Sequence, residues 1–151
     1  METIRRYLPL VGRILIAAIF VSSGFSKFAN WDSTAGYMAA KGLPAVPLLL
    51  VLAALTELLG GLSLLVGFKA SAGAGLLALF LVPTTLVFHA FWTAPAAEAM
   101  TQSINFMKNI AIIGGLVSFA AYGAGAVSVD AFLQRRGVPE RRREVRDLRA
   151  A

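Results

Sequence analysis

The stretch Val46 to Val66, VPLLLVLAALTELLGGLSLLV, runs for 21 residues with a single charge, Glu57, near its middle. At about 1.5 Å of rise per residue it crosses the roughly 30 Å hydrocarbon core of a bilayer, so it reads as a transmembrane helix carrying a carboxyl group near the midplane. No bulk water solvates a carboxylate at that depth. It must find a donor, face a wet cavity or hold a proton. Ala53, Ala54, Gly60 and Gly61 lie three and four residues away and share its face. Small residues mark the faces along which helices pack in lipid, so Glu57 is expected to look into a bundle.

Three further apolar spans, about 8–26, 72–92 and 106–126, accompany 46–66, and 58% of the chain is hydrophobic. These features predict an all-α integral membrane protein: one domain, residues 1–132, folded as a left-handed bundle of four transmembrane helices, followed by an arginine-rich tail, 133–151. Arg5 and Arg6 before the first span mimic the charged region of a signal peptide. Because three more spans follow and Ser22-Ser23-Gly24 reads as a packing surface, that span is expected to be retained. Between Lys27 and Pro44 a short helix is expected, capped by Asp32 or Ser33, running through Lys41 and closed by Gly42. Its Trp31, Tyr37 and Met38 suit a membrane surface. Pro83 predicts a kink in the third span, Pro95 a brief helix before the fourth, and Asp130 a cap for a short helix ahead of the tail. Gly60-Gly61-Leu62 and Gly114-Gly115-Leu116 sit at similar depths in spans two and four, a faint sign of duplication.

The chain carries a net charge of +6, and seven of its 14 basic residues fall in the last 17 positions. Beside a membrane span such a cluster is expected to meet anionic lipid headgroups, not nucleic acid. A cytoplasmic N-terminus places Arg5, Arg6, Arg13, Lys69 and seven tail arginines inside, against Lys27, Lys41 and Lys108 outside. Eleven against three predicts a multi-pass protein of the cytoplasmic membrane with both termini inside and the short helix between the first two spans outside. Cysteine is absent, which removes disulfides, thiolate metal sites and iron–sulfur clusters from the chain. One histidine forms no metal site within one chain. It would reach a bis-histidine haem only in a symmetric homo-oligomer.

Each span also carries its ionisable group on a stripe spaced by threes and fours. Arg13, Ala17, Phe20, Gly24 and Lys27 share a face in the first; Gly75, Ala78, Val82, Thr85, His89 and Trp92 in the third; Lys108, Ala111, Gly115, Ser118 and Tyr122 in the fourth. Turned inward, these stripes gather Lys27, His89, Trp92, Lys108 and Asn109 at one end of the bundle. Glu57 lies below them, and Arg13 lies roughly 10 Å deeper still. The expected result is a pocket with an aromatic rim and several donors over one buried carboxylate, and a quinone headgroup suits it because two carbonyls need donors and a proton-carrying group. Glu57 and His89 are the candidate catalytic, proton-supplying residues. Arg13, Lys27, Trp92, Gln102, Lys108 and Asn109 are the candidate ligand-binding residues, and no metal ligands are expected. The competing readings are structural: interface anchoring for Lys27 and Lys108, a structural hydrogen bond for His89, and an aromatic belt for Trp31, Phe91 and Trp92.

The segments GRILIAAIFVSSGFSKF, KGLP, TELLGGLSLLVG, FHAFW and NFMKNIAIIGGL together resemble the DoxX family of small four-helix bacterial membrane proteins, over nearly the whole chain through Phe132. The resemblance implies an inner-membrane protein related to the membrane subunit of thiosulfate:quinone oxidoreductase, with family members linked to oxidative-stress proteins. Its motif positions fall on Arg13, Lys27, Glu57, His89 and Lys108. Two functions are therefore carried forward. The first is a quinone-interacting subunit receiving electrons from a soluble or membrane redox partner. The second is a non-enzymatic module: a small-molecule or lipid transporter, or an anchor that assembles redox or stress-response partners.

Overall fold

The computed structural model describes residues 2–136, and its elements are helical with no strand among them. Five helices follow in order: α1, Glu2–Ala29; α2, Trp31–Ala40; α3, Val46–Val66; α4, Ala70–Phe88; and α5, Ala96–Tyr122, with a 3-10 turn at Phe91–Thr93 before α5. The four stretches Ile4–Ala29, Val46–Val66, Ala70–Thr93 and Ala96–Tyr122 are long and apolar enough to cross a membrane. Residues 129–136 are helical as well. Of the expected tail, 137–151 lies outside the described residues.

The expected bounds of α3 coincide with the observed helix, whereas α1, α4 and α5 each differ. No breaker precedes Leu8, so α1 begins six residues early, and Pro9, lying inside the helix, leaves the Arg5 carbonyl without its usual helical donor. The brief helix expected after Pro95 and the fourth span are one rod. Between Ala96 and Tyr122 only Gly114 and Gly115 weaken helicity, so the polar residues up to Asn105 continue the apolar span. Pro95 is its N-cap and Gly123 ends it at φ +79°.

α3 is the central helix. It packs along α1 on one side and α4 on the other, α4 pairs with α5, and α5 returns to α1 only sparsely. A third of the most apolar window of α3 is buried, against 6% for α5. The α1–α3 seam is tight because glycines remove side chains at the crossing: a Cβ on Gly24 would lie 2.7 Å from Leu58 Cγ and 2.9 Å from the Ala54 carbonyl oxygen, and one on Gly61 would meet Val21 Cγ2 at 2.9 Å. The expected face of α1 is the packed one, with Arg13, Ala17, Phe20 and Gly24 buried.

The stripe expected for α5 is out of register by one residue, and so is the first half of that expected for α4, whose Thr85 and His89 do face inward. α4 buries Ala70, Ala74, Leu77, Leu81 and Thr85, while Val82 and Trp92 are exposed. α5 turns Asn109, Ile112, Ile113 and Leu116 inward and leaves Lys108, Ala111, Ser118 and Tyr122 outside. At the α3–α4 crossing the gap is supplied by Gly60 of α3, into which Leu77 fits, so α4 needs a large residue at that position and not a small one.

The α3–α4 turn is pinned from a distance. Gly67 adopts φ +70° and Phe68 N–H closes back on the Ser63 carbonyl at 3.1 Å, a Schellman-type helix end. Asp130, expected to cap its own helix, instead accepts hydrogen bonds from Lys69 N–H (2.8 Å) and Ala70 N–H (3.1 Å), satisfying the free amides that begin α4. Its own segment is capped by Ser128, whose Oγ accepts from Ala131 N–H at 3.1 Å.

Candidate functional site

A cavity of about 550 Å³ lies where α3 and α4 part. The two helices touch closely at one end, with Ser63 against Gly73 and Gly60 against Leu77. Toward α2 they diverge, and Leu49, Leu52, Ala53 and Thr56 face Phe80, Thr84 and Val87 across the gap. Pro83 lies on this stretch of α4 and lines the cavity; lacking an N–H, it leaves the Leu79 carbonyl without its usual helical donor. Leu52 is 52% exposed and Val87 37%, so the gap opens sideways to the surroundings of the bundle. The end is roofed by α2, which contributes Thr34, Tyr37 and Met38. Tyr37 stacks on Phe88 with 5.5 Å between ring centroids, joining this roof to α4.

The lining is mainly apolar, and its charged groups are concentrated on the α1–α3 wall. Lys27 Nζ donates to Glu57 Oε2 at 2.6 Å and to Ser23 Oγ at 2.9 Å. The Glu57 side chain is 7% exposed and that of Lys27 21%. Helical spacing makes this triad: Ser23 stands one turn before Lys27 on α1, and the Gly24 contact draws α1 close enough for Lys27 to reach Glu57. In a medium of low dielectric the ammonium compensates the carboxylate that the sequence placed at mid-depth.

The opposite wall is polar as well. His89 ends α4, its N–H bonded to the Thr85 carbonyl, and its Nδ1 lies 2.9 Å from Gln102 Oε1 on α5. His89 lines the cavity while Gln102 stands behind it. Asn109 also lines the cavity and donates to Thr85 Oγ1 at 3.0 Å. Thr85 in turn donates to the Leu81 carbonyl at 2.6 Å.

Of the residues singled out from sequence, Lys27, Glu57, His89 and Asn109 line one cavity, with Gln102 bonded to it from outside. Arg13 does not join them. It is 1% exposed at the opposite end, its Nη2 donating to the Val127 carbonyl at 2.5 Å and its Nη1 lying against Gly67. Lys108 is exposed and donates to Asn105 on its own helix at 2.9 Å. Trp92 is 57% exposed and edges onto Phe91 and Phe106 away from the cavity. Both lie on the face of α5 or its approach that the one-residue shift turns outward. Ser23, Thr34, Thr56, Tyr37 and Thr84 line the cavity and were not anticipated. Only Ser23, one turn from Lys27, carried a readable signal.

The model of the DoxX family matches residues 8–90, and that of the SURF4 family matches residues 62–135. The chain is 38% identical to the inner membrane protein YqjF of Escherichia coli, over 84% of this chain and 92% of that protein. It is 32% identical to the inner membrane protein YphA of the same organism, over 83% and 90%. The ER-derived vesicles protein ERV29 of Saccharomyces cerevisiae is 26% identical over 82% of this chain and a third of its own length. No solved structure matches.

Proposed function

The chain belongs to the DoxX family, and on that premise we propose that it is the quinone-interacting membrane subunit of an oxidoreductase. A bound quinone would carry two electrons and two protons between such a subunit and the lipid phase. The observation that carries the reading is the Lys27–Glu57 pair on the wall of an otherwise apolar cavity open to the side. The volume falls within the roughly 300–1,000 Å³ of small-molecule pockets, and donors stand on two walls, as a ring with two oxygens requires. Lys27 holds an oxygen on the α1–α3 side. His89, positioned by Gln102, and Asn109 serve the α4–α5 side. Glu57 and His89 are the groups able to take or give protons there. Apolar walls from Phe80, Leu81 and Ile112 exclude water around the ring.

In this reading the protein lies in the inner membrane, as YqjF and YphA do by name, with both termini cytoplasmic and α2 on the periplasmic face. The eleven-to-three division of basic residues supports that orientation. Electrons arrive from a partner, since a cysteine-free chain with one histidine holds no iron–sulfur cluster or bis-histidine haem of its own. Protein purified from native membranes is expected to release quinone into organic solvent near one equivalent per chain. Glu57→Gln should keep its helical circular dichroism and lose most of that quinone. A wild-type extract without quinone would sink the proposal.

A second reading is a non-enzymatic membrane module, a transporter or an anchor that assembles partners through its arginine-rich tail. Removing residues after Gln134 separates the two. An anchor working through its basic tail loses its partners on pull-down, whereas a quinone site among the helices keeps its quinone.

A further inference from the structure

Resting on the quinone reading of this cavity, we infer that its charged wall selects a hydroxyl-bearing ligand, so that the site takes the reduced diol, a quinol, in preference to the oxidised dione. The Lys27 ammonium has three N–H donors, of which Ser23 and Glu57 take two. The third remains. Glu57 Oε2 is occupied by Lys27; among the described residues Oε1 has no hydrogen-bond partner, yet it is not sealed from the cavity. The wall thus offers one free donor beside one free acceptor, and the acceptor belongs to a side chain 7% exposed.

Water satisfies both groups when the cavity is empty of ligand, and any ligand that displaces it must reproduce both bonds. A ketone oxygen accepts from Lys27 but cannot donate, which leaves a carboxylate oxygen desolvated and unpaired. A hydroxyl group accepts from Lys27 and donates to Glu57 Oε1 in the same contact. The bond to the carboxylate is charge-assisted, the stronger class. An ether oxygen, like the ketone, accepts only.

The test compares three decyl-chain benzoquinone derivatives on the wild-type protein in lipid nanodiscs by anaerobic calorimetry: the diol, the dione and the dimethyl ether of the diol. The diol is expected to bind about tenfold or more tightly than either of the others. Glu57→Gln, which removes the charge-assisted bond from the hydroxyl, is expected to weaken binding of the diol about tenfold, to the level of the other two. Equal affinity of the wild type for all three, or tighter binding of the dione, overturns the inference and leaves the quinone reading standing. Binding of none of them overturns that reading and this inference with it. Should the variant fail to fold, the wild-type series decides.

Discussion

The Lys27–Glu57 contact shows how one residue pair reconciles a charge with its depth. Neither group would be stable alone in hydrocarbon, and their attraction only roughly offsets the cost of drawing both from water. The pair is therefore best understood through what its rupture does. Lys27→Met strands the carboxylate and is expected to lower stability to unfolding in detergent by about 2 kcal/mol or more. Lys27→Met with Glu57→Gln should recover much of that loss. A single variant that unfolds with the wild type would show that the pair does not hold α1 to α3. Gly67 illustrates the opposite dependence, on the absence of a side chain. At φ +70°, with Arg13 Nη1 where a Cβ would stand, Gly67→Ala is both strained and blocked. A loss of about 2 kcal/mol or more is expected in the same unfolding measurement. An unchanged midpoint would mean that the Arg13 contact is dispensable.

Among the elements, α4 decides the shape of the site. Its start is fixed to the α3–α4 turn by Asp130, its body leans on Gly60 through Leu77, and beyond that contact it parts from α3. The cavity is the space left by this divergence. Asp130→Ala removes the acceptor for two amides and is expected to cost about 1 kcal/mol, the usual scale of a lost helix cap. Asp130→Asn, which keeps one acceptor, should cost less. Equal behaviour of the two in thermal unfolding would argue that Asp130 acts by charge alone. α5, in contrast, is a peripheral rod: it supplies Asn109 and Gln102 on its inner face, while Lys108 extends along its exposed surface toward Asn105.

The whole molecule is a row of helices closed weakly between α1 and α5, with a chamber reached from the side. A cysteine-free chain makes that geometry directly measurable. Single cysteines at Leu52 and Val87, at the gap between α3 and α4, are expected to react with a lipid-soluble thiol reagent. A cysteine at Ala54, fully buried in the α1–α3 seam, should stay unreactive. Equal labelling at all three would refute the side opening.

Local pattern was enough to place the crossings and to aim Glu57 inward, because hydropathy over some twenty residues and helical phase are properties of neighbouring residues. The face of α1, with Arg13, Ala17, Phe20 and Gly24, was readable for the same reason. The inward face of α5 and of the first half of α4 was not, although Thr85 and His89 were correctly placed. In lipid both sides of a helix are apolar, and the small residue that permits close packing can belong to the partner, as Gly60 does for Leu77. Partner choice was equally hidden. Sequence depth left both Arg13 and Lys27 within view of the buried acid. The crossing at Gly24 brings Lys27 to Glu57, while the fold of residues 123–130 over the α3–α4 turn takes Arg13 for itself. Contacts between segments distant in the chain depend on how rods lean on one another, and no local periodicity encodes that angle.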